Sequence, residues 1–143
     1  MMNMNHPRFQ QGFKVLKENG LKLTTPRLAI LEYMATSDSH PTVDEICKDL
    51  KKFLPSLTPA TIYSNLKCFK KYKLINELSF GEFASRFEWA TAFHYHVRCK
   101  ICGNLADFYY PKLIQVEEFA KIKSGFDVTH HFFELQGICP KCI

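Results

Sequence analysis

No stretch of this 143-residue chain approaches the ~18 consecutive apolar residues that a membrane-spanning helix needs. The opening Met-Met-Asn-Met-Asn has neither the basic start nor the long apolar run of a secretory signal. There is no Gly-rich phosphate loop, no nucleophile–base signature, no internal repeat and no low-complexity tract. His-x-Glu, which a zinc deaminase needs beside its cysteines, does not occur; His131 and Glu134 are three apart, on opposite faces of an expected strand. These absences argue against a membrane protein, a nucleotide-cradling enzyme and a deaminase, and the expectation is a soluble, cytoplasmic chain.

Charge is present but unevenly placed. Residues 1 to 80 carry 12 Lys/Arg against 7 Asp/Glu, whereas residues 81 to 143 carry 7 of each. A basic first half beside a neutral second half points to a polyanionic partner for the first half alone. The hydrophobic fraction of 46% is enough for a packed core. Six cysteines in a reducing compartment do not read as a disulfide framework. Four of them form two tight pairs; Cys47 and Cys68 stand alone and read as small buried apolar residues.

Residues 1 to 7 lack periodicity and are expected to be disordered. Phe9, Phe13 and Leu16 then fall at helical spacing before Gly20. Thr25 suits an N-cap with Pro26 at the first helical position, and Ile30, Leu31 and Met34 share a face. Thr42 and Glu45 have capping-box spacing for a third helix over 42–53. Thr58-Pro59 starts a fourth, running to about Lys71, whose inner face is Ile62, Leu66 and Phe69. The period then changes to two, giving strands over 74–79 and 83–89 joined near Phe80-Gly81. Helices followed by such a hairpin predict a winged helix-turn-helix over residues 1–89. A hinge follows at 90–93, then a small α/β domain over 94–143, an α+β chain overall. In that second domain strands are expected at 94–99 and 105–110, a helix opened by Pro111 and stopped by Gly125, and a long strand over 126–136.

Cys99-Lys-Ile-Cys102-Gly103 and Cys139-Pro-Lys-Cys142 each place two thiolates on a tight turn. Two such pairs match a closed tetrahedral zinc site, which is structural rather than catalytic; the competing reading is redox-active dithiols. Zinc there would tie the end of this sequence back to the middle of a small domain. His94 and His96 sit at i and i+2, so one strand face presents both imidazoles. Asp107 on the next strand is within reach of the same ion. Glu88 ends the wing, and His40 precedes the third helix, where His-Pro also serves as plain turn geometry. Nitrogen and oxygen donors without thiolate suit Fe²⁺, Mn²⁺ or Zn²⁺. If all five residues share one ion, its occupancy couples the two domains.

Taken together, Leu23-Thr-Thr-Pro-Arg27, His40-Pro-Thr-Val-Asp44, Thr58-Pro-Ala-Thr-Ile-Tyr-Ser-Asn-Leu66, His94-Tyr-His96, Cys99-x-x-Cys-Gly103 and Gly137-x-Cys-x-x-Cys142 resemble the ferric-uptake-regulator family over residues 8 to 143, most of all its peroxide-stress repressors. The resemblance implies a homodimer that binds a pseudo-palindromic DNA operator when metal-loaded. It implies structural zinc at Cys99, Cys102, Cys139 and Cys142, and regulatory Fe²⁺ or Mn²⁺ at His40, Glu88, His94, His96 and Asp107. In peroxide-sensing members the iron-bound site is oxidised at ligand histidines, here His40 and His94. Asp107 matches the peroxide sensors, where iron regulators carry Glu; Glu88 stands where peroxide sensors typically carry Asp. The family's second regulatory site is not expected, because Phe93 and Tyr95 occupy ligand positions and only His131 remains; His130 and His131 read as ordinary strand residues.

In a winged helix the fourth helix enters the major groove. Its outward residues are Thr61, Tyr63, Ser64 and Lys67, then Lys70 and Lys71, with Arg27 and Lys22 as further phosphate contacts. The expected function is a metal-dependent repressor that senses hydrogen peroxide; an iron- or manganese-uptake regulator is the alternative. A metalloenzyme would need an open metal position lined by a substrate pocket and a general base; the sequence offers no Gly-rich phosphate loop and no nucleophile–base motif. A zinc-ribbon interaction module would not depend on Tyr63 or Lys67.

Overall fold

The computed structural model describes residues 3–79 and 81–143. The chain divides into two compact units between Ala90 and Thr91.

The first unit begins with α1 (Pro7–Glu18), α2 (Thr25–Thr36), α3 (Val43–Leu50) and α4 (Pro59–Lys71). Each starts at a side-chain cap: His6, Thr24, Thr42 and Thr58 accept from backbone N–H groups of the first turn. At α2 the cap is Thr24, not Thr25, and Pro26 takes the second helical position, where its missing N–H costs equally little. The expected disorder of residues 1–7 also needs revision. Residues 1 and 2 lie outside the described residues, but Asn3 N–H donates to Glu32 at 3.3 Å and Pro7 already belongs to α1. The Thr42–Glu45 capping box forms in both directions.

Ile62, Leu66 and Phe69 of α4 are fully buried against Leu16, Ile30, Leu31 and Met34 in one core. A two-stranded antiparallel wing, β1 (Ile75–Leu78) and β2 (Arg86–Trp89), closes it, pairing Ile75 with Trp89 and Leu78 with Arg86. Both strands are shorter than expected, and part of the turn expected between them, Phe80, lies outside the described residues. Phe87 N–H donates to Pro41 O at 2.9 Å and Arg86 Nη1 to His40 O at 2.8 Å, which pins the wing to the turn before α3.

The second unit holds β3 (Tyr95–Cys99), β4 (Leu105–Phe108), α5 (Ile114–Ser124) and β5 (Glu134–Gly137). The sheet order is β4-β3-β5, antiparallel between β3 and β4 and parallel between β3 and β5. Pro111 does not open α5, which starts three residues later; Gly125, at φ 74°, ends it in the left-handed conformation a side chain would resist. Strand pairing after α5 covers 134–137 and not the whole of 126–136. A buried ion pair, Arg98 Nε to Glu134 Oε1, ties β3 to the start of β5. One apolar side of α5 is left exposed among the described residues: Val116, Phe119 and Ile122 are 41%, 61% and 80% exposed. No helix of the described residues is long and apolar enough to cross a membrane.

Candidate metal centres and nucleic-acid interface

Cys99 ends β3, and the turn through Gly103 leads into β4. Parallel pairing sets Gly137 of β5 opposite Cys99, so Cys139 emerges beside the first pair. One ligand atom from each of Cys99, Cys102, Cys139 and Cys142 lies within 4.8 Å of every other. Cys102 Sγ and Cys139 Sγ are 3.7 Å apart. A tetrahedral zinc with Zn–S near 2.3 Å has sulfur–sulfur edges of about 3.8 Å, so the donor set fits that ion. Both cysteine turns close with a bond four residues back, Gly103 N–H on Cys99 O at 2.9 Å and Ile143 N–H on Cys139 O at 3.0 Å. Backbone N–H groups of Cys102 and then Cys139 point at the Cys99 sulfur and lower its pKa to about 6. Hydrogen bonds with Cys139 and Cys102, with burial, push the Cys142 thiol up to about 12. A dication at this position would hold all four sulfurs as thiolates.

In the second unit the β3–β4 register places His96 directly across from Asp107, and His94 shares that face two residues earlier. His94 Nε2 and His96 Nε2 lie 3.4 and 3.2 Å from Asp107 Oδ1, and 3.1 Å from each other. The Ala92 carbonyl, 2.9 Å from His94 Nδ1, can only accept, so in the neutral ring Nδ1 carries the proton and Nε2 presents the lone pair a metal takes. Three donors thus converge on one point.

In the first unit His40 and Glu88 are both buried, and His40 Nε2 lies 3.3 Å from Glu88 Oε2. Asn76 Nδ2, on the paired wing strand, donates to the other Glu88 oxygen at 3.4 Å. The wing's attachment to Pro41 makes this pairing possible; strand alternation alone does not bury Glu88.

On α4, Tyr63, Ser64, Lys67, Lys70 and Lys71 are exposed. Thr61 is half-buried, its hydroxyl 3.1 Å from that of the cap Thr58. Lys70 Nζ pairs with Glu77 Oε1 at 3.1 Å, so a phosphate would compete with a partner there. Lys22 is exposed. Arg27 is half-buried and tied: Nε donates to Asn65 Oδ1 at 2.8 Å and Nη1 to Lys22 O at 2.9 Å. Buried Asn65 in turn donates to Thr61 O at 2.9 Å. The sequence reading missed Asn65, although a polar residue on the inner edge of an apolar helix face signals a hydrogen-bond partner. Cys47 is buried as expected and Cys68 partly so.

His131 is not in a strand. Its ring is 2.9 Å from Tyr95 Oη on one side and 2.9 Å from Glu117 Oε2 on the other, a set that no local pattern reveals.

The profile of the ferric uptake regulator family matches residues 18–136. The chain is 43% identical over 133 residues to the peroxide operon regulator of Bacillus subtilis, covering 93% of this chain and 92% of that one. The structure of the peroxide-sensing regulator PerR from Streptococcus pyogenes superposes with a TM-score of 0.56 at 31% identity, over 95% of this chain and 93% of that one. The Helicobacter pylori ferric uptake regulator Fur, at 21% identity, shares the fold with a TM-score of 0.80 over 94% and 91% of the two chains. With four paired cysteines, a His-x-His strand and a capped helix-turn-helix all in the matched span or beside it, the chain belongs to the ferric uptake regulator family.

Proposed function

We propose that this protein is a homodimeric, metal-dependent transcriptional repressor that releases DNA when hydrogen peroxide oxidises its regulatory site. The observation that carries the reading is the convergence of His94, His96 and Asp107 on one point without a thiolate. Such a set suits Fe²⁺ or Mn²⁺. His40 and Glu88 supply the remaining donors, so that one ion is held by both units and its occupancy sets the orientation of α4. Zn²⁺ at Cys99, Cys102, Cys139 and Cys142 is structural. Fe²⁺ held there would supply the electron that cleaves hydrogen peroxide; the chain's part is to hold oxidisable imidazoles, His40 and His94, beside it, one of which takes up an oxygen atom of the peroxide while the other oxygen leaves as water. The regulator of Bacillus subtilis and the Streptococcus pyogenes protein are named for this response.

Two copies join through the exposed apolar side of α5, which includes Phe119 and Ile122 and has no cover among the described residues. Tyr63, Ser64 and Lys67 meet DNA in the major groove, with Thr61 at its edge, while Lys22, Lys70 and Lys71 lie against phosphates. Arg27 acts mainly by holding Asn65 and hence α4 in place.

The test is to load the zinc-containing protein with Fe²⁺ without oxygen, add hydrogen peroxide, and digest. One added oxygen on the peptide carrying His40 or His94, with loss of operator binding, is expected. An unmodified protein that keeps its metal and its DNA overturns peroxide sensing. That second outcome leaves an iron- or manganese-uptake regulator on the same fold, the reading under which Glu88, where the resemblance puts Asp in peroxide sensors, is the ordinary ligand.

A further inference from the structure

Tyr95 lies between His94 and His96 on β3, so its side chain leaves the opposite face of the strand. It is 3% exposed, and its hydroxyl meets two partners. Leu113 N–H, at the N-terminus of α5, donates to it at 3.1 Å; no side chain of α5's own cap position does that work. His131 Nε2 lies 2.9 Å away. On its far side His131 Nδ1 is 2.9 Å from Glu117 Oε2, which Lys112 Nζ also approaches at 3.5 Å. Ionised Glu117 can only accept, so the neutral His131 ring carries its proton on Nδ1 and gives it to Glu117; Nε2 is then an acceptor, and the tyrosine hydroxyl donates to it while accepting from Leu113. Burial pushes the Glu117 carboxyl up, but the His131 hydrogen bond and the Lys112 charge outweigh it and hold the group ionised. Donors and acceptors alternate along the whole line. The rings of Phe93 and Phe133, 4.8 and 5.8 Å from that of Tyr95, shield it.

We propose that Tyr95, His131 and Glu117 form a metal-free strut that braces β3 from behind and thereby holds His94 and His96 at the spacing their ion requires. All three are positioning residues, since none points at the ion. The strut joins β3 to the start of α5, to its first turns and to the segment before β5, so β3 cannot roll about its axis without breaking it. A buried hydrogen-bond line of this kind is costly to break in part, because each member left behind is unsatisfied. The inference rests on the reading of His94, His96 and Asp107 as a metal site.

The experiment titrates zinc-loaded protein with Mn²⁺, reading free Mn²⁺ by electron paramagnetic resonance, for wild type, Tyr95→Phe, His131→Leu and Glu117→Gln. Tyr95→Phe and His131→Leu are expected to weaken Mn²⁺ binding about five- to tenfold, the worth of roughly one hydrogen bond, with zinc content unchanged. Glu117→Gln, whose amide oxygen still accepts from Nδ1, should stay within about twofold by the same reckoning. Nitrogen-15 spectra of the Mn²⁺-free wild type should show His131 protonated on Nδ1 alone, and Tyr95→Phe should shift the Nε2 signal while the proton stays on Nδ1, where Glu117 holds it. Unchanged Mn²⁺ affinity in both Tyr95→Phe and His131→Leu, or a His131 protonated on Nε2 alone, overturns the strut while leaving the sensor reading intact. Wild-type protein that takes up no Mn²⁺ overturns the sensor reading and the strut with it.

Discussion

Removing zinc should melt the second unit and spare the first. Among the described residues, the buried hydrophobic side chains of the second unit are Tyr95 and Cys99, whereas the first unit has a continuous core that includes Phe9, Leu16, Ile30, Phe69, Phe87 and Trp89. Fully burying one large apolar side chain stabilises by about 1.5–3 kcal/mol. Two such side chains make a small core for a unit that runs from Thr91 to Ile143. A structural zinc contributes about 10–16 kcal/mol at neutral pH, and at the four cysteines it would join the end of β3 to the segment after β5. Cys142→Ser, or a strong chelator, should therefore abolish the dispersed amide signals of β3, β4 and β5. Those of α1 to α4 should persist, and far-UV circular dichroism should lose only part of its helix signal. A metal-free protein whose β3–β5 signals stay dispersed, or one in which both units unfold together, refutes this reasoning.

Gly12 of α1 has room for no more than hydrogen: a Cβ there would sit 2.7 Å from Leu31 Cδ1 and 3.2 Å from the Trp89 ring. Gly12→Ala should lower stability by about 1 kcal/mol in urea melts, overpacking of about 2 kcal/mol being offset by about 1 kcal/mol of helix propensity. Tyr33 donates to Asp49 Oδ2 at 2.6 Å, and burial first, then Asp49, raises its pKa well above the ordinary value of 10.0. The folded phenol stays neutral where the unfolded one ionises, so wild type should lose stability as pH rises above 10.0. Tyr33→Phe should cost about 1.5 kcal/mol at neutral pH and remove that alkaline loss. Lys67→Ala should lower the salt dependence of operator binding by about one counterion, while Lys70→Ala should do so less, because Glu77 already holds Lys70; equal effects in salt titrations would count against the interface drawn here.

Local signals carried the first unit well. Threonine caps, prolines in first turns and the apolar spacing of Ile62, Leu66 and Phe69 all act within one helical turn, and each appears where the pattern puts it except at α2, which starts one residue earlier with Thr24 as its cap. The second unit was less legible. Val116, Phe119 and Ile122 have helical spacing but no core of their own chain to face, so periodicity identified the helix and said nothing of what covers it. Residues 126–133 look like strand because they are aromatic and β-branched, yet pairing with β3 begins only at Glu134, where the Arg98 ion pair anchors it.

By itself the sequence determined the chemistry: which side chains can bind metal, which pairs lie on one turn or one strand face, and which half of the chain is basic. Those properties depend on residue type and on spacings of two to four, which backbone geometry translates directly. Only the tertiary structure decided which distant residues meet. The β3–β5 register brings the cysteine pairs together, the Pro41–Phe87 hydrogen bond sets Glu88 beside His40, and the fold at α5 puts Glu117, His131 and Tyr95 in one line. Such contacts come from packing across dozens of residues, and no spacing along the chain encodes them.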